Sequence, residues 1–125
     1  MIKILLTEDE PEKKRVIVEQ IISVEGISLS NIDFAVDALE AKRFLSKNKY
    51  DLLILDINLP LKAGESVEPG GGLTVLDFIK RNIKAIKPSY IVGMSAYQDG
   101  ISAAEAEFTS PLWKLVSFSF SDMSW

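Results

Sequence analysis

The chain has 125 residues, one domain's worth, and 47% of them are apolar, enough for a single sizeable core. It contains no cysteine and no histidine, which excludes disulfides, thiolate metal sites and imidazole acid–base chemistry. The formal net charge is −4, without the basic footprint of a nucleic-acid binder, and no apolar run approaches the length of a membrane span.

The elements follow one another at short intervals. Met1 leads straight into a short β-like run, with no leader peptide between, as expected of a soluble cytoplasmic protein. Ile2 to Leu6 reads as a buried strand ending in the polar cluster Thr7, Glu8, Asp9 and Glu10. Pro11 sits where a helix can begin, Val16, Ile17, Gln20, Ile21 and Val24 recur at helical spacing, and Gly26 closes the segment. Ile32 to Val36 is a second strand. Asp37 is placed to cap a second helix whose apolar face carries Ala38, Ala41, Phe44 and Leu45. Asp51 to Leu55 is the third strand; its run Leu52-Leu53-Ile54-Leu55 has no alternation, the mark of a strand covered on both faces.

Leu61 to Gly72 (LKAGESVEPGGG) is polar and glycine-rich and is expected to be a loop. A third helix starts near Gly71 or Gly72 and carries Leu73, Leu76 and Ile79. After Pro88 come a fourth strand, Tyr90 to Met94, a helix over Ser102 to Phe108, and a fifth strand within Leu112 to Phe120, placed at the sheet edge. Strictly alternating strands and helices predict an α/β three-layer sandwich around a parallel sheet, in one domain spanning 1–125.

In an open parallel sheet, ligands bind beyond the carboxyl ends of the strands. Glu8 and Asp9 follow the first strand, Asp56 and Asn58 the third, and Ser95 the fourth. Crowded carboxylates repel, and a hard divalent cation relieves that repulsion; an oxygen-only donor set suits Mg²⁺. Beside such an ion Asp56 is a candidate carboxylate nucleophile toward phosphorus, with Ser95 donating to a phosphoryl oxygen. Any one Asp at a strand end is more often a turn former or cap; the weight lies in the set.

These residues resemble the receiver domains of response regulators in two-component signalling. The likeness rests on ILLTEDEPEKKR (Ile4 to Arg15), DLLILDINLP (Asp51 to Pro60) and IVGMSA (Ile91 to Ala96). The resemblance implies a flavodoxin-like fold with five parallel strands in the order 2-1-3-4-5. It implies that Glu8, Asp9 and Asp56, with the Asn58 backbone carbonyl, hold Mg²⁺, that Asp56 accepts the phosphoryl group, and that Ser95 contacts it and couples it to a conformational switch. Ala96 matches the small neighbour of that serine. Tyr97 and Asn58 fall where the family sets the rate of phosphoryl loss. The implied partner is a sensor histidine kinase or a phosphotransfer protein; direct nucleic-acid or membrane binding is not expected of this domain, and a homodimer is compatible with it.

Three departures stand out. The family carries a lysine at the end of strand five, whereas here Ser117 falls on that position by register, and Lys114 lies three residues earlier as its only nearby substitute. Lys87-Pro88 precedes strand four, so Lys87 is expected to be a solvated surface residue. The segment before Gly72 is longer than the family's turn. Finally, a last helix is expected to begin at Ser121-Asp122, and the sequence ends at Trp125, as if cut before or within it. The alternatives to a phosphorylated switch are a phosphate-independent pseudo-receiver interaction module and a small Mg²⁺-dependent phosphohydrolase, which needs a second carboxylate where Asn58 stands.

Overall fold

A computed structural model of the chain describes residues 2–68, 70–95 and 113–117. In chain order the elements are β1 (Ile4–Thr7), α1 (Pro11–Ile22), β2 (Ile32–Ala35), α2 (Ala38–Leu45), β3 (Leu52–Asp56), β4 (Leu59–Pro60), β5 (Val67–Glu68), α3 (Leu73–Arg81), β6 (Tyr90–Ser95) and β7 (Trp113–Ser117). Five of the strands form one parallel sheet in the order β2-β1-β3-β6-β7. Counting sheet strands alone, this is the expected 2-1-3-4-5, with the last strand at the edge.

The unbroken apolar run of β3 is explained by the layers. Leu53 and Leu55 point to one face and pack with Ala38, Ala41 and Leu45 of α2 and Val75, Leu76 and Ile79 of α3. Leu52 and Ile54 point to the other and meet Ile17 and Ile21 of α1. Leu53 and Leu55 are wholly buried, each contributing about 2 kcal/mol by removal from water. The sheet is therefore the middle of three layers, as expected of an α/β sandwich.

Local chemistry sets the helix ends. Pro11 opens α1 at a position whose N–H has no helical acceptor to lose. The Asp37 carboxylate accepts from the Glu40 N–H at 2.7 Å and caps α2. Gly26 ends the turn after α1 at φ +90°, where a side chain would be strained.

One expectation is corrected. The 61–72 segment is not wholly loop: Val67–Glu68 pairs antiparallel with Leu59–Pro60 as a small hairpin beside the main sheet. Pro60 is tolerated because a two-stranded ribbon leaves an edge where no N–H is needed, and Gly64 turns the tip at φ +81°. The helix expected over 102–108, Ala96, Tyr97 and the helix start at Ser121-Asp122 lie outside the described residues. Among the described residues, no helix is long and apolar enough to cross a membrane.

Candidate phosphoacceptor site

Parallel pairing brings the strand ends level. Thr7 lies opposite Leu55 and Asp56 opposite Met94, so Glu8, Asp56 and Ser95 emerge together at the carboxyl edge. Backbone and side-chain bonds fix Asp56 there. Its N–H donates to Thr7 Oγ1 at 3.1 Å, and the threonine hydroxyl donates to Ile54 O at 3.2 Å, bridging β1 and β3. The next peptide is held by Ile57 N–H donating to Met94 O at 2.9 Å. On the other side α3 comes close: Gly72 N–H donates to Ile57 O at 2.8 Å, and a Cβ at Gly72 would stand 2.0 Å from Asp56 O. Only glycine allows that approach.

The carboxylates expected to gather do so. One oxygen each from Glu8, Asp9 and Asp56 lies within 4.8 Å of the others. Glu8 and Asp56 are buried, at 3% and 4% exposure, and Asp9 is half-buried. Burial raises the Glu8 carboxyl to about 8, with the Asp56 charge adding to the rise and Lys13 opposing it. Asp56 is likewise raised by burial, against the pull of Lys13 and of the Asn58 N–H. Two buried carboxyls whose ionised forms are disfavoured gain from a positive charge placed between them, and the all-oxygen donor set fits a hard divalent cation.

Asn58 ties Asp56 to the fourth sheet strand. Its N–H donates to Asp56 Oδ1 at 3.0 Å, its side-chain amide donates to Ser95 Oγ at 3.1 Å, and its Oδ1 accepts from Gly70 N–H at 3.3 Å. Ser95 is fully buried, and its hydroxyl oxygen accepts from the side-chain amide of Asn58, whose own N–H is bonded to Asp56. Lys114 is not brought to this group. It is exposed and pairs with Val92, whereas Ser117 pairs with Ser95. Lys87 is exposed, away from the site.

Sequence reasoning missed Lys13. On α1 it is 5% exposed, its Nζ lies 3.1 Å from Glu8 Oε2 and 3.6 Å from Asp56 Oδ1, and it shares the buried face of the helix with Ile17 and Ile21. The signal was its spacing, one turn before Ile17 and two before Ile21. Thr7 was missed too; only its place beside the acidic pair hinted at it.

No family model matches the chain. It is 28% identical over 123 residues to the uncharacterized protein y4jS of Sinorhizobium fredii, and spans 98% of itself but 30% of that relative. Among solved structures, it is similar to the response regulator TrrA of Thermotoga maritima in complex with Mg²⁺-BeF, at 32% identity and TM-score 0.61 over 96% of this chain and 90% of that one. It is also similar in fold to the Mn²⁺-bound response regulator Rcp1, at 24% identity and TM-score 0.70 over 98% of this chain and 86% of the other.

Proposed function

Because the chain belongs to the receiver domains of response regulators, we propose that it is a phosphoacceptor switch in which Asp56 takes a phosphoryl group from a sensor histidine kinase or a phosphotransfer protein. The observation that carries this reading is the buried Asp56, set at a strand end within 4.8 Å of two further carboxylates and linked through Asn58 to Ser95. Nothing about a purely structural aspartate requires such a costly arrangement.

Glu8, Asp9 and Asp56, with the Asn58 carbonyl, would hold a divalent cation, for which we propose Mg²⁺. Bound there, such an ion neutralises charge on phosphoryl oxygens. The chain's own residues do the rest. An Asp56 carboxylate oxygen attacks phosphorus as the bond from phosphorus to the donor breaks; the electron pair leaves with the donor, giving an acyl phosphate. Asp56 reacts as the carboxylate, the form that a cation bound beside it would favour against the upward pull of burial. Thr7 and Gly72 hold the reacting carboxylate in place. The Ser95 hydroxyl donates to a phosphoryl oxygen, and shifting its bond from Asn58 is the first move of the switch. The location we propose is cytoplasmic.

A second reading, a phosphate-independent interaction module, is favoured by Ser117, which stands in register with Ser95 where the family has lysine. Intact mass after incubation with acetyl phosphate separates the two. The switch predicts one added phosphoryl group, lost without Mg²⁺ and lost in Asp56→Asn. No adduct across a range of times and Mg²⁺ concentrations would favour the interaction module.

A further inference from the structure

Resting on the phosphoacceptor reading, we propose that Lys13 is the fixed cation for the phosphoryl group, supplying from α1 the positive charge that receivers take from the end of strand five. Two independent observations meet here.

The first is a vacancy in the sequence. From Pro88 to Trp125 the only basic residue is Lys114. It is exposed and sits opposite Val92, three positions short of the Ser95–Ser117 pair at the sheet's carboxyl edge. An odd offset along a strand also reverses the face presented. The last strand therefore brings no cation to the site.

The second is the placement of Lys13. A lysine is almost never fully buried unless it is paired, and an apolar residue would suit the inner face of α1 better. The three basic residues at the start of this helix have separate fates. Arg15 pairs with Glu12 and Glu19 in solvent, Lys14 lies over the Phe34 ring at 4.2 Å, and Lys13 alone turns inward. Its ammonium is 3.1 Å from Glu8 and 3.6 Å from Asp56 Oδ1. The longer of these separations matters more. A phosphoryl oxygen extends beyond the carboxylate oxygen that bears it, so it moves into the reach of an ammonium already facing Asp56. Lys13 makes and breaks no covalent bond; the attack and the departure of the donor remain as described above. Its charge offsets that gained by Asp56, and ion-assisted hydrogen bonds of this kind are the stronger sort.

The test uses acetyl phosphate with Mg²⁺ and compares wild type, Lys13→Met, and Lys13→Met combined with Ser117→Lys. Methionine replaces the unbranched stem of the lysine without its ammonium and suits a buried helix face. The steady level of phosphoryl adduct by intact mass should fall at least tenfold in Lys13→Met. Ser117→Lys, which returns a lysine to the strand-five register, should restore most of it. Mg²⁺ binding to unphosphorylated Lys13→Met, followed by calorimetry, should be equal to or tighter than wild type, since a neighbouring positive charge has gone. Wild-type adduct levels in Lys13→Met would overturn the proposal. So would a loss that Ser117→Lys leaves unrepaired, or one that comes with lost Mg²⁺ binding, because either assigns Lys13 to holding Glu8 in place. Absence of adduct in the wild type would instead defeat the phosphoacceptor reading itself.

Discussion

The two ends of the sheet use polar residues in opposite ways. At the amino end each charge or amide meets an ordinary partner. Asp51 accepts from the Lys3 N–H at 2.8 Å, Lys3 Nζ donates to Asn48 at 3.1 Å, and Asn31 donates to Ile2 O at 2.9 Å. These bonds tie β1 to the segments that enter β2 and β3, and their role ends with the fold. At the carboxyl end Glu8, Asp9 and Asp56 crowd together, Glu8 and Asp56 share one buried ammonium, and both of these carboxyls are desolvated with their affinity for protons raised. The same strands thus close one edge and leave the other with more buried ionisable groups than the fold needs. Buried acids with raised proton affinity are the mark of a site.

Three substitutions sharpen that contrast. The largest effect is expected from Gly72→Ala, whose Cβ would meet Asp56 O at 2.0 Å. Either α3 or the Asp56 peptide must move, and a loss of about 3 kcal/mol in urea denaturation is expected, together with reduced adduct formation. Next, Asp56→Asn removes one of the crowded charges and should stabilise the metal-free protein by about 1 kcal/mol. Asp51→Asn at the opposite end should do the reverse, costing about 1 kcal/mol as its charge-assisted bond weakens. Equal losses at both ends would erase the distinction between them.

Much of this was legible from residues alone. Short apolar stretches marked the first four sheet strands and alternation the fifth, Asp37 announced its cap, and the order of Glu8, Asp9, Asp56 and Ser95 along the chain foretold their meeting at one edge. Lys13 escaped because a charge near a helix start reads as solvated, and only its spacing to Ile17 and Ile21 argued otherwise. The β4–β5 hairpin escaped because two-residue strands have no period to detect, and the glycines and proline around them read as loop. The burial of Glu8 depends on how α1 packs over the end of β1, which no local pattern encodes.

The most direct test of the claim that the carboxyl end stores unrelieved acidity is the unfolding free energy in urea at pH 5.5 and pH 8, with EDTA and then with Mg²⁺. Burial, with the Asp56 charge beside it, raises the folded Glu8 carboxyl from its ordinary 4.5 to about 8. Between those values the folded chain binds more protons than the unfolded one, so stability must fall as pH rises. A loss of about 3 kcal/mol is expected between the two pH values in EDTA, and Mg²⁺ should recover most of it at pH 8 while changing little at pH 5.5. Stability that is flat with pH and indifferent to Mg²⁺ would contradict the account.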